Sequence, residues 1–267
     1  MSLTQRRARI SETIGIIEIA MQSKPELIIA FDAPDRKAAM RVASRLLEVT
    51  PDAQPQDLPW AKIGLQLFCA EGPDVIRAFK EMGFRIFLDL KLHDIPNTIT
   101  GSVNAIADLG IGMFTIHALG GRAMVKAAVE AASKFQEPCK VLAVTALTSL
   151  SDKEFAEAVG FGGLNVPSAV FAMAVNARDW GVGGIVCTGW DVRAVKALGL
   201  PCVVPGVRPA GSNQDDQHVV VTPRMAAFAG ADYIMVGRPI TESADPAKAA
   251  KEIMLEAFGT AADSPRP

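Results

Sequence analysis

From residue 27 onward, short apolar runs alternate with longer stretches in which apolar residues return every three or four positions. A run of four or five apolar residues suits a strand buried on both faces, and the wider spacing gives a helix one apolar side. The runs fall at 27–31, 60–63, 86–90, 113–117, 141–145, 184–187, 202–204 and 233–236. Helices are predicted near 35–48, 72–82, 98–109, 121–135, 168–180, 191–198, 223–229 and 245–258. Eight strand–helix units in 267 residues predict an α/β chain folded as a (β/α)8 TIM barrel, with 25–267 as a single domain. A doubly wound open sheet would alternate in the same way, but no GxGxxG follows the first run. Ahead of the barrel, Ile10, Ile14, Ile17 and Met21 recur at helical spacing, which predicts a structural helical extension over 1–24 lying on the domain. Glu12 and Glu18 interrupt its apolar run, so neither a signal peptide nor a membrane span is expected there.

Polar residues gather where the apolar runs end. Asp32 follows Phe31, Lys62 closes the second run, Asp89 and Lys91 the third, and His117 the fourth. Thr145 to Thr148 close the fifth, Pro205 to Arg208 follow the seventh, and Gly237 and Arg238 follow the eighth. In a barrel these ends build the active face. Strand side chains alternate, so Asp89 and Lys91 share one side and Leu88, Leu90 and Leu92 the other. Two readings of that pair stand: a structural ion pair, costly to desolvate, or a proton donor held by carboxylates. Pro96 sets the exit from the strand, and Asn97 is expected to cap the next helix.

Composition narrows the partners. At 49% hydrophobic the chain can bury a large core, and a net charge of -2 without a like-charge run argues against nucleic-acid or membrane-surface partners. An anionic small molecule would have to meet local cations instead. Gly237 lets backbone approach an anion and Arg238 offers a two-pronged donor, after the strand where barrels commonly bind phosphate. Pro205 to Pro209 form the matching half, and Pro239 leads into the last helix. The aperiodic polar loop 207–219 reads as a lid over that phosphate or as a surface excursion, and 50–59 as an insertion without a chemical role. Cys69, Cys139, Cys187 and Cys202 are too scattered for a zinc site and predict buried, reduced thiols in a cytoplasmic protein. The three histidines have no metal-ligand spacing, no cofactor site is legible, and Trp60, Trp180 and Trp190 are expected to pack.

The stretch Arg85 to Thr98, RIFLDLKLHDIPNT, resembles the signature of the orotidine 5'-phosphate decarboxylases. Asp-x-Lys-x-x-Asp alone is shared by a wider group of sugar-phosphate decarboxylases on the same barrel; the attached IPNT narrows the match. The resemblance covers about 27–258 and implies loss of CO2 from C6 of orotidine 5'-phosphate to give UMP, the last step of de novo pyrimidine synthesis, without cofactor or metal. It assigns Lys91 as the proton donor to C6, with Asp89 beside the departing carboxylate, and Asp32 to the ribose, where the family usually has Leu in the place of Phe31. Lys62 matches the lysine that binds a ribose hydroxyl and braces the carboxylates, and Thr148 the reader of the pyrimidine edge. Arg208, Gly237 and Arg238 match the substrate and phosphate groups. Gln217 matches the lid glutamine by its spacing from Arg208, with Gln214 as the alternative. Asp94 and Thr98 are implied to reach a neighbouring subunit's site, which makes the protein a homodimer. His117 is expected to be a supporting hydrogen-bond partner, and the role of His93 stays open. The rivals are a magnesium-dependent decarboxylase of keto-sugar phosphates and a non-catalytic phosphosugar sensor. The first typically has an acidic metal ligand after the second strand, where this chain has Gly64-Leu65-Gln66.

Overall fold

The computed structural model describes residues 25–48, 54–163, 165–210 and 220–258. The extension expected over 1–24, and both Gln214 and Gln217, lie outside the described residues.

Parallel pairing runs from each strand to the next and from the eighth back to the first, so the expected barrel is closed. The strands are β1 (Glu26–Ala30), β2 (Trp60–Gly64), β3 (Arg85–Leu92), β4 (Met113–His117), β5 (Lys140–Val144), β6 (Gly184–Val186), β7 (Cys202–Val204) and β8 (Tyr233–Val236). Each lies within two residues of its predicted span at either end. β3 runs on to Leu92, so Asp89 and Lys91 sit within the strand instead of where it gives out.

The helices are α1 (Arg36–Leu47), α2 (Leu65–Glu71), α3 (Asp74–Glu81), α4 (Pro96–Ala105), α5 (Gly121–Ala132) and α6 (Asp152–Val159). They continue with α7 (Val166–Asp179), α8 (Val192–Lys196), α9 (Pro223–Ala229), α10 (Arg238–Thr241) and α11 (Pro246–Phe258). Three of these differ from expectation. α2 and α6 were not predicted, and Pro239 opens the short α10, not the last helix. α6 carries a capping box, in which Ser151 and Glu154 satisfy each other's backbone N–H groups. Asn97 does not cap α4: Pro96 takes the first helical position, where its missing N–H costs nothing, and Ile95 precedes it as the N-cap.

The strands separate two cores. Outward residues such as Ile29, Ile63, Leu88 and Phe114 pack beneath the helices. Inward ones, among them Ile28, Trp60, Phe87, Met113 and Tyr233, fill the barrel. At the strand N-termini this inner layer is sealed. The Trp60 indole donates to Glu26 Oε2 at 3.0 Å, Arg85 pairs with the same oxygen at 2.6 Å, and the guanidinium lies 4.5 Å from the indole centre. A Cβ at Gly112 would come within 2.7 Å of that indole, so only glycine leaves room for it. Lys140 donates to the Tyr233 hydroxyl at 2.7 Å across the ring.

Two packing expectations need correction. Trp60 is buried and Trp180 packs against the outer core, but Trp190 is 68% exposed in the turn after β6. Cys187 and Cys202 are buried and Cys139 is half-buried, which pushes its thiol up to about 12, whereas Cys69 is exposed on α2. Residue type alone does not report which face of a turn or short helix a side chain takes.

Candidate active site

The period-two alternation that fills the barrel continues upward into charge. Above Ile28 and Ala30 on β1 stands Asp32; above Trp60 on β2, Lys62 and then Gly64; above Phe87 on β3, Asp89 and Lys91; above Met113 on β4, Thr115 and His117. On β1 to β3 the charged side chains of this inward row become the floor of a cavity of about 790 Å³ at the C-terminal end of the barrel. Asp32, Lys62, Asp89 and Lys91 all line it. So do Thr148 beyond β5, Arg208 beyond β7, and Gly237 and Arg238 beyond β8.

At its centre the Lys91 ammonium lies 2.9 and 2.8 Å from the two oxygens of Asp89. Asp89 is buried, its side chain 8% exposed, while Lys91 is 33% exposed and faces the opening. Buried Thr115 donates its hydroxyl to Asp89 Oδ1 at 2.8 Å and accepts the Lys91 backbone N–H at 2.9 Å. Beside this group Lys62 Nζ sits 2.5 Å from Asp32 Oδ1, the lysine buried and the aspartate half exposed. Gly64 makes that second pair possible, since a Cβ there would lie 2.7 Å from the Asp32 oxygen and 2.8 Å from Lys62 Nζ. Neither Thr115 nor Gly64 was picked out from sequence. Thr115 could have been found by counting two residues back from His117 along the inward face.

At the far wall, Arg208 is buried and its backbone N–H donates to Val221 O at 3.0 Å. Val207 and Val221 pair as an isolated parallel bridge beside Arg208. At Gly237 a Cβ would meet Ala30 at an ordinary 3.5 Å, so the protein's own packing does not demand glycine there.

Residues 25–253 match the model of the Orotidine 5'-phosphate decarboxylase / HUMPS family. The chain belongs to this family. The orotidine 5'-phosphate decarboxylase of Nitratidesulfovibrio vulgaris (strain DP4) is 41% identical over 241 residues, covering 86% of this chain and 97% of that protein. That of Moorella thermoacetica is 41% identical over 249 residues, covering 89% and 94%. Among solved structures, the orotidine 5'-phosphate decarboxylase of Lactobacillus acidophilus superposes with a TM-score of 0.75 at 35% identity, covering 88% of this chain and 100% of that one.

In this member of the Orotidine 5'-phosphate decarboxylase / HUMPS family, two predicted site residues stand apart from the cavity. Asp94 is exposed in the loop after β3, where its Oδ1 accepts the Ile95 N–H at 2.7 Å; Thr98 is exposed in the first turn of α4. Within one chain neither lines the cavity. His117 accepts the Leu119 N–H at Nδ1, 3.3 Å away, and its ring stacks on His93 at 5.4 Å. Burial, then the nearby charges of His93 and Lys91, lower its pKa to about 4. Among the described residues, no three His, Cys, Asp or Glu side chains gather as a metal site, and no helix is long and apolar enough to cross a membrane.

Proposed function

We propose that this chain converts orotidine 5'-phosphate to UMP and CO2, the closing step of de novo pyrimidine nucleotide synthesis in the cytoplasm, with Lys91 as the proton donor. The observation that carries the reading is an ammonium clamped by both oxygens of a buried carboxylate, inside a cavity that also holds Arg208 and Arg238. When the C6–carboxylate bond breaks, its electron pair stays on C6, which has no conjugated sink. A fixed positive charge aimed at C6 stabilises that pair, and the same group then delivers a proton to it. Asp89 holds the ammonium and lies against the departing carboxylate. The Lys62–Asp32 pair takes the ribose hydroxyls, Thr148 the pyrimidine edge, and Arg208 and Arg238 the substrate's phosphate side, with Gly237 giving the anion room. Gln217, with Gln214 as the alternative, is the lid group proposed to bridge base and phosphate. No cofactor or metal is required by this scheme.

The keto-sugar phosphate reading would need an acidic ligand after β2, and Gly64, Leu65 and Gln66 stand there. Relatives at 41% identity that carry the decarboxylase name favour the pyrimidine substrate. The purified protein is expected to lower the longer-wavelength ultraviolet absorbance of orotidine 5'-phosphate, as the spectrum moves to that of UMP, at the same rate with and without EDTA. No change in absorbance would sink the proposal, and strict dependence on added magnesium would move it to the rival.

The working unit is proposed to be a homodimer in which Asp94 and Thr98 complete the partner's cavity. Leu65, Ile95 and Leu119 are exposed just past β2, β3 and β4, which puts three apolar side chains on one side of the barrel rim. Covering that rim would carry Asp94 towards a second copy. Lys91→Ala and Asp94→Ala chains, each nearly inactive alone, are expected to regain about a quarter of wild-type activity after subunit exchange. Half of the dimers would be mixed, each with one intact site. Proven exchange without recovery would refute the sharing.

A further inference from the structure

We infer that Thr115 is the positioning residue of the reactive ammonium, its single hydroxyl holding both the Asp89 carboxylate and the backbone from which Lys91 projects. The inference rests on the proposed role of Lys91 and extends it to a residue on the neighbouring strand.

The geometry starts from a fault in the sheet. β3 and β4 pair in register at Phe87 and Leu88, then lose register before resuming at Leu92 opposite Ile116. Lys91 sits inside that irregularity with φ 51, the one non-glycine residue with positive φ among the described residues. L side chains rarely adopt this left-handed conformation, and it persists only where surroundings over-determine it. In a regular ladder, strand amides donate to carbonyls of neighbouring strands; the Lys91 amide donates to a side chain, the Thr115 hydroxyl. That hydroxyl donates in turn to Asp89 Oδ1, and Asp89 closes the ring by accepting from Lys91 Nζ. Amide, hydroxyl, carboxylate and ammonium thus form a closed circuit in which Thr115 is the only member from another strand.

Bulges beside active sites commonly re-aim a side chain. Here the re-aimed side chain is the ammonium, and the Lys91 amide is held by the Thr115 hydroxyl. The atom must accept and donate at once, which a hydroxyl does and a methyl group of the same size cannot. Thr115 is fully buried and absent from the cavity walls, so it acts through Asp89 and Lys91 without touching substrate.

The test compares wild type, Thr115→Val and Thr115→Ser in the orotidine 5'-phosphate assay, with melting temperatures measured alongside. Thr115→Val keeps the shape and loses the circuit. We expect its kcat to fall about 10- to 100-fold, as for misplacement of a reacting group by a fraction of an ångström to an ångström. KM should stay within about threefold, because the ribose, base and phosphate contacts lie elsewhere. Thr115→Ser restores the hydroxyl and is expected to keep kcat within about threefold of wild type. A folded Thr115→Val enzyme with wild-type kcat would overturn the inference, as would a folded Thr115→Ser enzyme as impaired as the valine variant. If Thr115→Val does not fold, the serine variant decides alone: wild-type kcat supports the hydroxyl's role and a loss beyond about tenfold overturns it. An inactive wild type would instead strike at the proposed function, so the two failures are distinguishable.

Discussion

Lys91→Ala is expected to lower kcat for decarboxylation by at least about 10⁴-fold, because two contributions disappear with one group. Proton delivery by a positioned side chain is worth about 10²- to 10⁴-fold, and a preorganised charge at a developing anion about 10²- to 10³-fold. Groups acting as a unit are not additive, so the product is an upper range and about 10⁴ the floor we expect. Lys91→Arg should not rescue the activity. Its charge is kept, but the planar guanidinium does not give up a proton at neutral pH and does not fit the space of a compact ammonium beside Asp89. The alanine change also leaves Asp89 buried without its cation, with the Thr115 hydroxyl still donating to it. Breaking a buried pair costs about 3 to 5 kcal/mol; with Lys91 a third exposed we expect about 2 kcal/mol, visible as a lower melting temperature. Assays run well below that melting point separate lost chemistry from lost fold. A loss of kcat smaller than about a hundredfold in folded protein would place the proton donor elsewhere.

The site's charges were legible from sequence for the same reason the barrel was. Strands buried on both faces read as bare apolar runs, and their ends show because the alternation carries on into Asp32, Lys62, Asp89 and Lys91. What was not legible depends on neighbours across the sheet. The register fault at Lys91 arises between β3 and β4, so nothing within Phe87-Leu88-Asp89-Leu90-Lys91 announces it. Gly64 looks like an ordinary strand end until the Asp32–Lys62 pair is seen to occupy the space of its missing Cβ. The helix ends failed differently. Asn97 is a good capping residue, but Pro96 claims the first helical position and shifts the cap back to Ile95. α6 starts on a capping box of Ser151 and Glu154, a local signal present in the sequence, within the connection between β5 and β6. Asp94 and Thr98 are the residues whose proposed role no single chain can display, since both are exposed and neither lines its own chain's cavity.

Arg238→Ala is expected to lower kcat/KM for orotidine 5'-phosphate by about 10²- to 10³-fold although Arg238 is assigned no contact with C6. A guanidinium can offer a phosphate two parallel charge-assisted hydrogen bonds, each worth about 1.5 to 3 kcal/mol. Losing both would remove about 3 to 6 kcal/mol; at a cavity open to solvent we expect the lower end, about 3 to 4 kcal/mol, and each 1.36 kcal/mol is a factor of ten. Whether that loss appears in KM or in kcat tells how the binding energy is used. If the phosphate only anchors the substrate, KM rises and kcat stays; if its grip is spent on assembling the site, kcat falls too. We expect both to move, because Arg238 begins α10 after β8 while Arg208 sits beside the Val207–Val221 bridge after β7. A phosphate held between these two positions would join the loops after β7 and β8 across the cavity. The control is orotidine, which lacks the phosphate. On that poor substrate, wild type and Arg238→Ala should perform alike within about threefold, since the deleted side chain has nothing left to hold. An effect below about threefold on the phosphorylated substrate, or an equal loss on both substrates, would take the phosphate away from Arg238.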